Sequence, residues 1–253
     1  MSVELFAFIC GHVTGARDGF LDGESGTLTV PVPAYLIVHE QGKLLFDTGL
    51  NTGLRHDKAA LLGVTDKDWE IDFPAGAEIA AQLALLGLVP GDIRYVVNSH
   101  LHFDHCGGNA LFPKATLIVH AKEWRASQHK ATQAAAIYNP VDFDHMAARR
   151  EIGGELDVFG DGSVVVFPTP GHTPGHQSLR VQLESGPVVL AADCCYLKRT
   201  LETLHLPRSV YNRDQMLASL GQLRALQADG ARIFFGHDPE FWKTVPLAPE
   251  PIR

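Results

Sequence analysis

The densest chemistry in the chain lies in Ser99-His100-Leu101-His102-Phe103-Asp104-His105. At this protein's own composition an H-x-H-x-D-H pattern arises by chance about 0.002 times in a chain of this length, so coincidence explains it poorly. The pattern follows a short apolar run. If that run is a strand, His100 and His102 share a face, and their imidazoles can converge on one point. Asp104 and His105 come next, as the chain turns, and can aim at a neighbouring point. Imidazole nitrogens combined with carboxylate oxygens suit borderline-soft divalent cations such as Zn²⁺.

Three further residues of ligand type sit just past apolar runs. His172 lies in Thr169-Pro170-Gly171-His172-Thr173-Pro174-Gly175-His176, where two prolines and two glycines fix a loop. Asp193 follows the apolar run 188–191, and His237 follows Ile233-Phe234-Phe235-Gly236. Loops after buried strands are where α/β proteins collect functional side chains. Singly, each of the three is an ordinary polar residue; beside the histidine cluster they form a set.

The elements that would position them read as follows. Strands are expected over 5–10, 34–39, 43–47, 93–98, 115–120, 164–167, 177–183, 188–191 and 232–235. The segment 11–26, with five glycines and no period, reads as a loop. Helices are expected over 75–86, around 122–127, and over 216–228, where Met216, Leu217, Leu220, Leu223 and Leu226 keep helical spacing. The stretch 128–150 reads as helical and irregular. No linker or low-complexity segment divides the chain, and strands alternate with helices throughout. The expectation is one α/β domain over 1–253.

Composition narrows the function. The 253 residues can bury roughly 70–75% of the unfolded surface, so a large core forms without disulfides. Twenty-nine acidic against 21 basic residues give a net charge of −8, with no basic run longer than Arg149-Arg150, which argues against nucleic acid and anionic membranes. Four cysteines, two of them adjacent (Cys194 and Cys195), do not make a disulfide framework and point to a reducing cytoplasm. No basic leader or membrane-length apolar run is expected to target the chain elsewhere.

Taken in order, His100-x-His102-x-Asp104-His105, then His172, Asp193 and His237, resemble the metallo-β-lactamase superfamily with its binuclear site. The chain most resembles the N-acyl homoserine lactonases in SHLHFDHCGGN (99–109), TPGHTPGHQSL (169–179), Asp193 with Tyr196 three residues on, and IFFGHD (233–238). The resemblance implies an αβ/βα sandwich of the metallo-β-lactamase type, two mixed sheets flanked by helices. It implies that His100, His102 and His172 hold one metal, that Asp104, His105 and His237 hold a second, and that Asp193 bridges them. Zn²⁺ is the first choice for the pair, with Co²⁺, Mn²⁺ and Fe²⁺ as alternatives. The implied activity is quorum quenching: a bridging hydroxide attacks the lactone carbonyl of an N-acyl homoserine lactone. Tyr196 would then support the carbonyl oxygen, and Asp104 would pass a proton to the leaving ring oxygen.

The same site could serve another lactone, an ester or a glutathione thioester. A glutathione substrate calls for a basic cluster, and only Lys198 and Arg199 stand out for it. A di-iron electron-transfer protein of this fold would place a carboxylate where the chain has His102, and a nuclease would need basic surface. The implied partner is a small-molecule lactone, with a homodimer left open. Cys106 and Cys194 flank the ligands and read as small buried hydrophobes, although a register shift would make Cys194 a thiolate ligand. His176 and Asp47 read as supports of the ligands or as plain structural residues. His12, His39, His56, His129, His145 and His205 read as solvated, and His120 as structural. Candidate walls for an acyl chain are Phe103, the loop with Phe20 and Leu21, and 138–146.

Overall fold

The computed structural model describes residues 3–135, 138–145 and 148–253. Among the described residues twelve strands form two mixed sheets: β1 (Glu4–Ala16), β2 (Thr27–His39), β3 (Gly42–Phe46), β4 (Glu70–Asp72), β5 (Ile93–Val97), β6 (Thr116–His120), β7 (Ala148–Ile152), β8 (Leu156–Asp157), β9 (Val164–Pro168), β10 (Gln177–Leu183), β11 (Gly186–Leu190) and β12 (Arg232–Phe234). One sheet runs in the order β4-β1-β2-β3-β5-β6-β7 and the other β12-β11-β10-β9-β8. β1 to β3 pair antiparallel, as do β8 to β11; β3-β5-β6-β7 and β11-β12 pair parallel.

Strand alternation builds the layers. Leu5, Ala7, Tyr35, Ile37, Leu44 and Phe46 of the first sheet join Val164, Val166, Leu179 and Val188 of the second in a core between the sheets. Their neighbours in sequence, such as Phe6, Phe8, Leu36 and Leu45, pack with Ile79 and Leu83 of the helix Ile79–Ala84 on the outer face. Val189 and Ile233 of the second sheet meet Met216, Leu220 and Leu223 of the helix Arg213–Ala228. Period two in the strands thus feeds two cores from each sheet, giving helices on both outer faces of a two-sheet sandwich. This is the architecture that the resemblance implies.

Three expectations need correction. The first strand does not stop at residue 10. Its ladder with β2 is irregular between Ile9 and His12, and Gly11 takes φ +103 there, so the strand passes through a bulge and runs on to Ala16. Only Ile79–Ala84 of 75–86 is helical, because Glu78 accepts from Gly76 N and the Arg55 guanidinium and holds the preceding residues in a turn. The stretch 128–150 contains the short helices Lys130–Ala134 and Pro140–Phe143, but its end is β7, a charged edge strand with no apolar alternation to announce it. Among the described residues no helix is long and apolar enough to cross a membrane.

Candidate metal centre

All seven predicted ligands follow strand ends on one rim of the sandwich. β5 delivers His100, His102, Asp104 and His105; β9 leads to His172, β11 to Asp193 and β12 to His237. The loops after β11 and β12 touch directly: a Cβ on Gly236 would lie 2.6 Å from the Ala192 carbonyl oxygen, so only glycine lets Asp193 and His237 approach.

The side chains divide into two groups around Asp193. On one side, His100 Nε2 lies 3.0 Å from His102 Nδ1, and His172 Nε2 lies 3.1 Å from the same atom. Asp193 Oδ2 faces this group, 3.6 Å from His100 Nε2 and 3.2 Å from His172 Nε2. On the other side, Asp193 Oδ1 lies 3.1 Å from His105 Nε2 and 2.9 Å from His237 Nε2. Asp104 Oδ2 completes that group at 3.5 Å from His105 and 3.7 Å from His237. Nitrogen and oxygen ligands about 2.1 Å from a tetrahedral ion lie about 3.4 Å apart, and both groups have that spacing.

Hydrogen bonds behind the rings set the tautomers. His105 Nδ1 donates to Asp47 Oδ2 at 2.8 Å, and His237 Nδ1 donates to the Pro31 carbonyl at 2.8 Å. Ser99 Oγ donates to Asp47 Oδ2 at 2.8 Å and therefore accepts from His100 Nδ1 at 3.0 Å. In all three rings the Nε2 lone pair faces inward. Asp47 itself stands at φ +60 and also takes the Ser99 backbone N–H at 2.7 Å, so it is a support for both groups.

Burial and charge then separate the two groups. Burial, helped by neighbouring imidazoles, holds His100 and His172 well below the usual histidine range and His102 down to about 4. These three rings are neutral at neutral pH, the form in which an imidazole can bind a metal. Burial opposes charge on His105 and His237 too, but Asp193 and Asp104 hold both above the usual range. His105 Nε2 and Asp193 Oδ1 are buried without a hydrogen-bond partner. Inward lone pairs, carboxylates between them and orphaned buried atoms fit a pair of divalent cations.

Tyr196 closes the site, its hydroxyl 3.2 Å from His172 Nδ1. Burial, then Asp193 and Asp104, push its pKa well above the usual tyrosine value, so it stays a donor. His176 stands outside both groups: Nδ1 meets Thr169 Oγ1 at 2.9 Å and the ring packs 5.2 Å from that of His100. Cys194 and Cys106 are buried with thiols pushed up by desolvation, and neither joins a ligand group. His39, expected in solvent, is buried: it stacks on Phe159 at 4.0 Å and bonds Asp161 at 2.9 Å. Half-buried His205 bonds the Asp22 carbonyl at 2.7 Å.

Two supports escape the sequence reading. Ser99, between Asp47 and His100, is one. The other is Glu123, fully buried, which accepts from Leu101 N at 3.1 Å, Thr173 Oγ1 at 2.7 Å and Gly175 N at 3.0 Å. It ties the loop carrying His100 and His102 to the loop carrying His172. A lone Glu in a helix gives no signal of this.

Two cavities share His102 as a wall. The smaller, about 170 Å³, is lined by Phe20, Trp69, Phe103, Asp104 and Tyr196 among others. Phe20 packs 5.5 Å from Tyr196 and 6.3 Å from Trp69, and Phe103 5.9 Å from Trp69. Of the expected walls, Phe20 and Phe103 are therefore at the site, while Leu21 is buried in the core beside it. The larger cavity, about 740 Å³, contains Tyr138 in its lining; residue 146 lies outside the described residues.

Residues 28–237 match the family model of the metallo-beta-lactamase superfamily. The chain is 34% identical to the N-acyl homoserine lactonase AttM of Azorhizobium caulinodans over 235 residues, 90% of this chain and 89% of that protein. It is 34% identical to the N-acyl homoserine lactonase AiiA of Bacillus thuringiensis subsp. kurstaki over 233 residues, 89% of this chain and 88% of the relative. A solved N-acyl homoserine lactone hydrolase, with the product N-hexanoyl-L-homoserine bound at its catalytic metal centre, superposes with a TM-score of 0.89. It shares 30% identity over 100% of both chains.

Proposed function

Since the chain belongs to the metallo-beta-lactamase superfamily and, within it, to the N-acyl homoserine lactonase family, we propose that it opens the ring of N-acyl homoserine lactones by hydrolysis. The observation that carries this reading is Asp193, whose two oxygens face two separate donor groups with the Tyr196 hydroxyl beside them. His100, His102 and His172 would hold one divalent cation, Asp104, His105 and His237 a second, and Asp193 both, with Zn²⁺ suited to the nitrogen-rich set. Bound there, the pair supplies a water of lowered pKa and polarises the carbonyl.

The chain's own groups do the rest. His172 Nδ1 donates to Tyr196 Oη, which leaves the phenol hydrogen free to donate to the substrate's carbonyl oxygen as negative charge develops there. The Asp104 carboxylate, on the wall of the smaller cavity, receives a proton from the attacking water and delivers it to the ring oxygen as that bond breaks. Phe20, Trp69 and Phe103 give the acyl tail an apolar wall that also keeps water from the ring. Four buried, unbridged thiols support a reducing cytoplasm as the place of action.

Ring opening makes an acid, so proton release in weak buffer tests the reading directly. Metal-loaded protein is expected to release protons from hexanoyl-homoserine lactone, and chelator-stripped protein and Asp104→Asn are expected not to. Silence from loaded protein across a series of acyl lengths would move the assignment to other lactones, esters or thioesters.

A further inference from the structure

A lactone ties the acyl and alcohol arms of its ester in one ring, so an acyl homoserine lactone sends a single tail out of the centre. One tail fills one cavity, yet two cavities meet at His102. They differ in character. The smaller carries Asp104 and an apolar wall of Phe20, Trp69 and Phe103. The larger carries Lys122, Arg125 and His129, with Pro174, Val210 and Tyr211, and no carboxylate lines it among the described residues.

The two cations are set apart by their place, on the wall of a cavity that His102 and His172 also line. Some basic side chains elsewhere are neutralised by carboxylates: Lys58 pairs with Asp66, Arg149 with Glu151, Lys198 with Glu202 and Lys243 with Glu240. Lys122 and Arg125, one helical turn apart on Ala121–Ser127, pair with none among the described residues. The glutamate between them, Glu123, is turned into the core and occupied by Leu101, Thr173 and Gly175. An exposed positive wall is thus presented to a cavity that opens on the reacting centre. The basic cluster missing from the linear sequence is assembled here.

We propose that this wall binds a terminal carboxylate, and that the chain hydrolyses open-chain monoesters of dicarboxylic acids. The inference rests on the hydrolytic reading of the same centre. The alcohol arm lies in the smaller cavity, where Asp104 meets the leaving oxygen; the acid arm extends past His102 toward Lys122 and Arg125. Water's oxygen forms the new bond to the acyl carbon, the acyl–oxygen bond to the alcohol breaks, and the departing alkoxide takes a proton. The products are a dicarboxylate and an alcohol, with no change of oxidation state.

The test compares monobutyl adipate with its uncharged counterpart butyl hexanoate on metal-loaded protein, with hexanoyl-homoserine lactone run in parallel. Two partly screened charge contacts are expected to favour the anionic ester by about tenfold in kcat/KM at low salt. That ratio is expected to fall toward one in the Lys122→Gln/Arg125→Gln double variant, and in wild type as salt is raised. Lactone turnover with equal ester rates, with no ester turnover, or with a ratio insensitive to both variant and salt would overturn the inference and leave the lactonase reading standing. Failure of the lactone and both esters would overturn the hydrolytic reading and the inference with it.

Discussion

Replacing Asp47 by asparagine exchanges one oxygen for an amide and isolates how the proposed ligands are held. The position has φ +60, a conformation asparagine accepts as readily as aspartate, so the backbone is not disturbed. Asp47 Oδ1 takes the Ser99 N–H at 2.7 Å, which fixes the asparagine oxygen there and places the amide where Oδ2 was. That amide faces His105 Nδ1 at 2.8 Å and Ser99 Oγ at 2.8 Å. Two donors cannot face each other, so His105 must move its proton to Nε2, and Nε2 then points an N–H at Asp193 where a lone pair is needed. Losing such a support costs about 10–100-fold in metal affinity, or about 1.4–2.7 kcal/mol. The loss is expected mainly in the group of Asp104, His105 and His237. Titration of stripped protein with Zn²⁺ against a chromophoric chelator measures both affinities, and circular dichroism checks the fold. A folded variant that binds two ions as tightly as wild type would refute the tautomer argument.

Tyr196→Phe is expected to lower kcat for lactone about 10–100-fold with little change in KM, measured by proton release, because under the proposed mechanism only a transition-state donor is lost. Glu123→Gln keeps one acceptor oxygen where three buried donors converge. It is expected to cost about 2–3 kcal/mol and lower Tm by several degrees, read by thermal denaturation. Burial, partly offset by the Asn51 amide, pushes the Asp142 carboxyl from 3.8 up to about 6. A raised acid holds its proton more tightly in the folded state. Its contribution is therefore complete below pH ~4 and lost as pH rises through ~6. Asp142→Asn removes that dependence, so its stability relative to wild type should rise by about 3 kcal/mol from pH ~4 to ~7 in urea denaturation; a constant difference would contradict the burial argument.

The site was more legible than the frame around it. A motif such as His100-x-His102-x-Asp104-His105 is local in sequence, and each distant candidate ligand follows an apolar strand, so both spacing and context pointed at residues that the fold brings within hydrogen-bond distance. The supports were less visible, because they act through contacts distant in sequence. Asp47 touches His105 across 58 positions, and Glu123 touches Thr173 across 50. His39 shows the same limit: nothing near it in sequence foretells Phe159 and Asp161. Strands with apolar alternation were readable, whereas β7 is a charged edge and β1 continues through a glycine bulge, where local pattern misleads. The basic wall of the larger cavity makes no unbroken run, since Lys122 and Arg125 stand one helical turn apart and His129 lies past the helix end, and the sequence does not show the cavity they line.

The central claim is that Asp193 joins two donor groups which together open a lactone. It is tested most directly by following hexanoyl-homoserine lactone hydrolysis while Zn²⁺ is added stepwise to chelator-stripped protein. The account predicts that turnover climbs until two equivalents per chain are bound and then stays level. Full turnover at one equivalent, or two bound ions with no lactone opened, would contradict it.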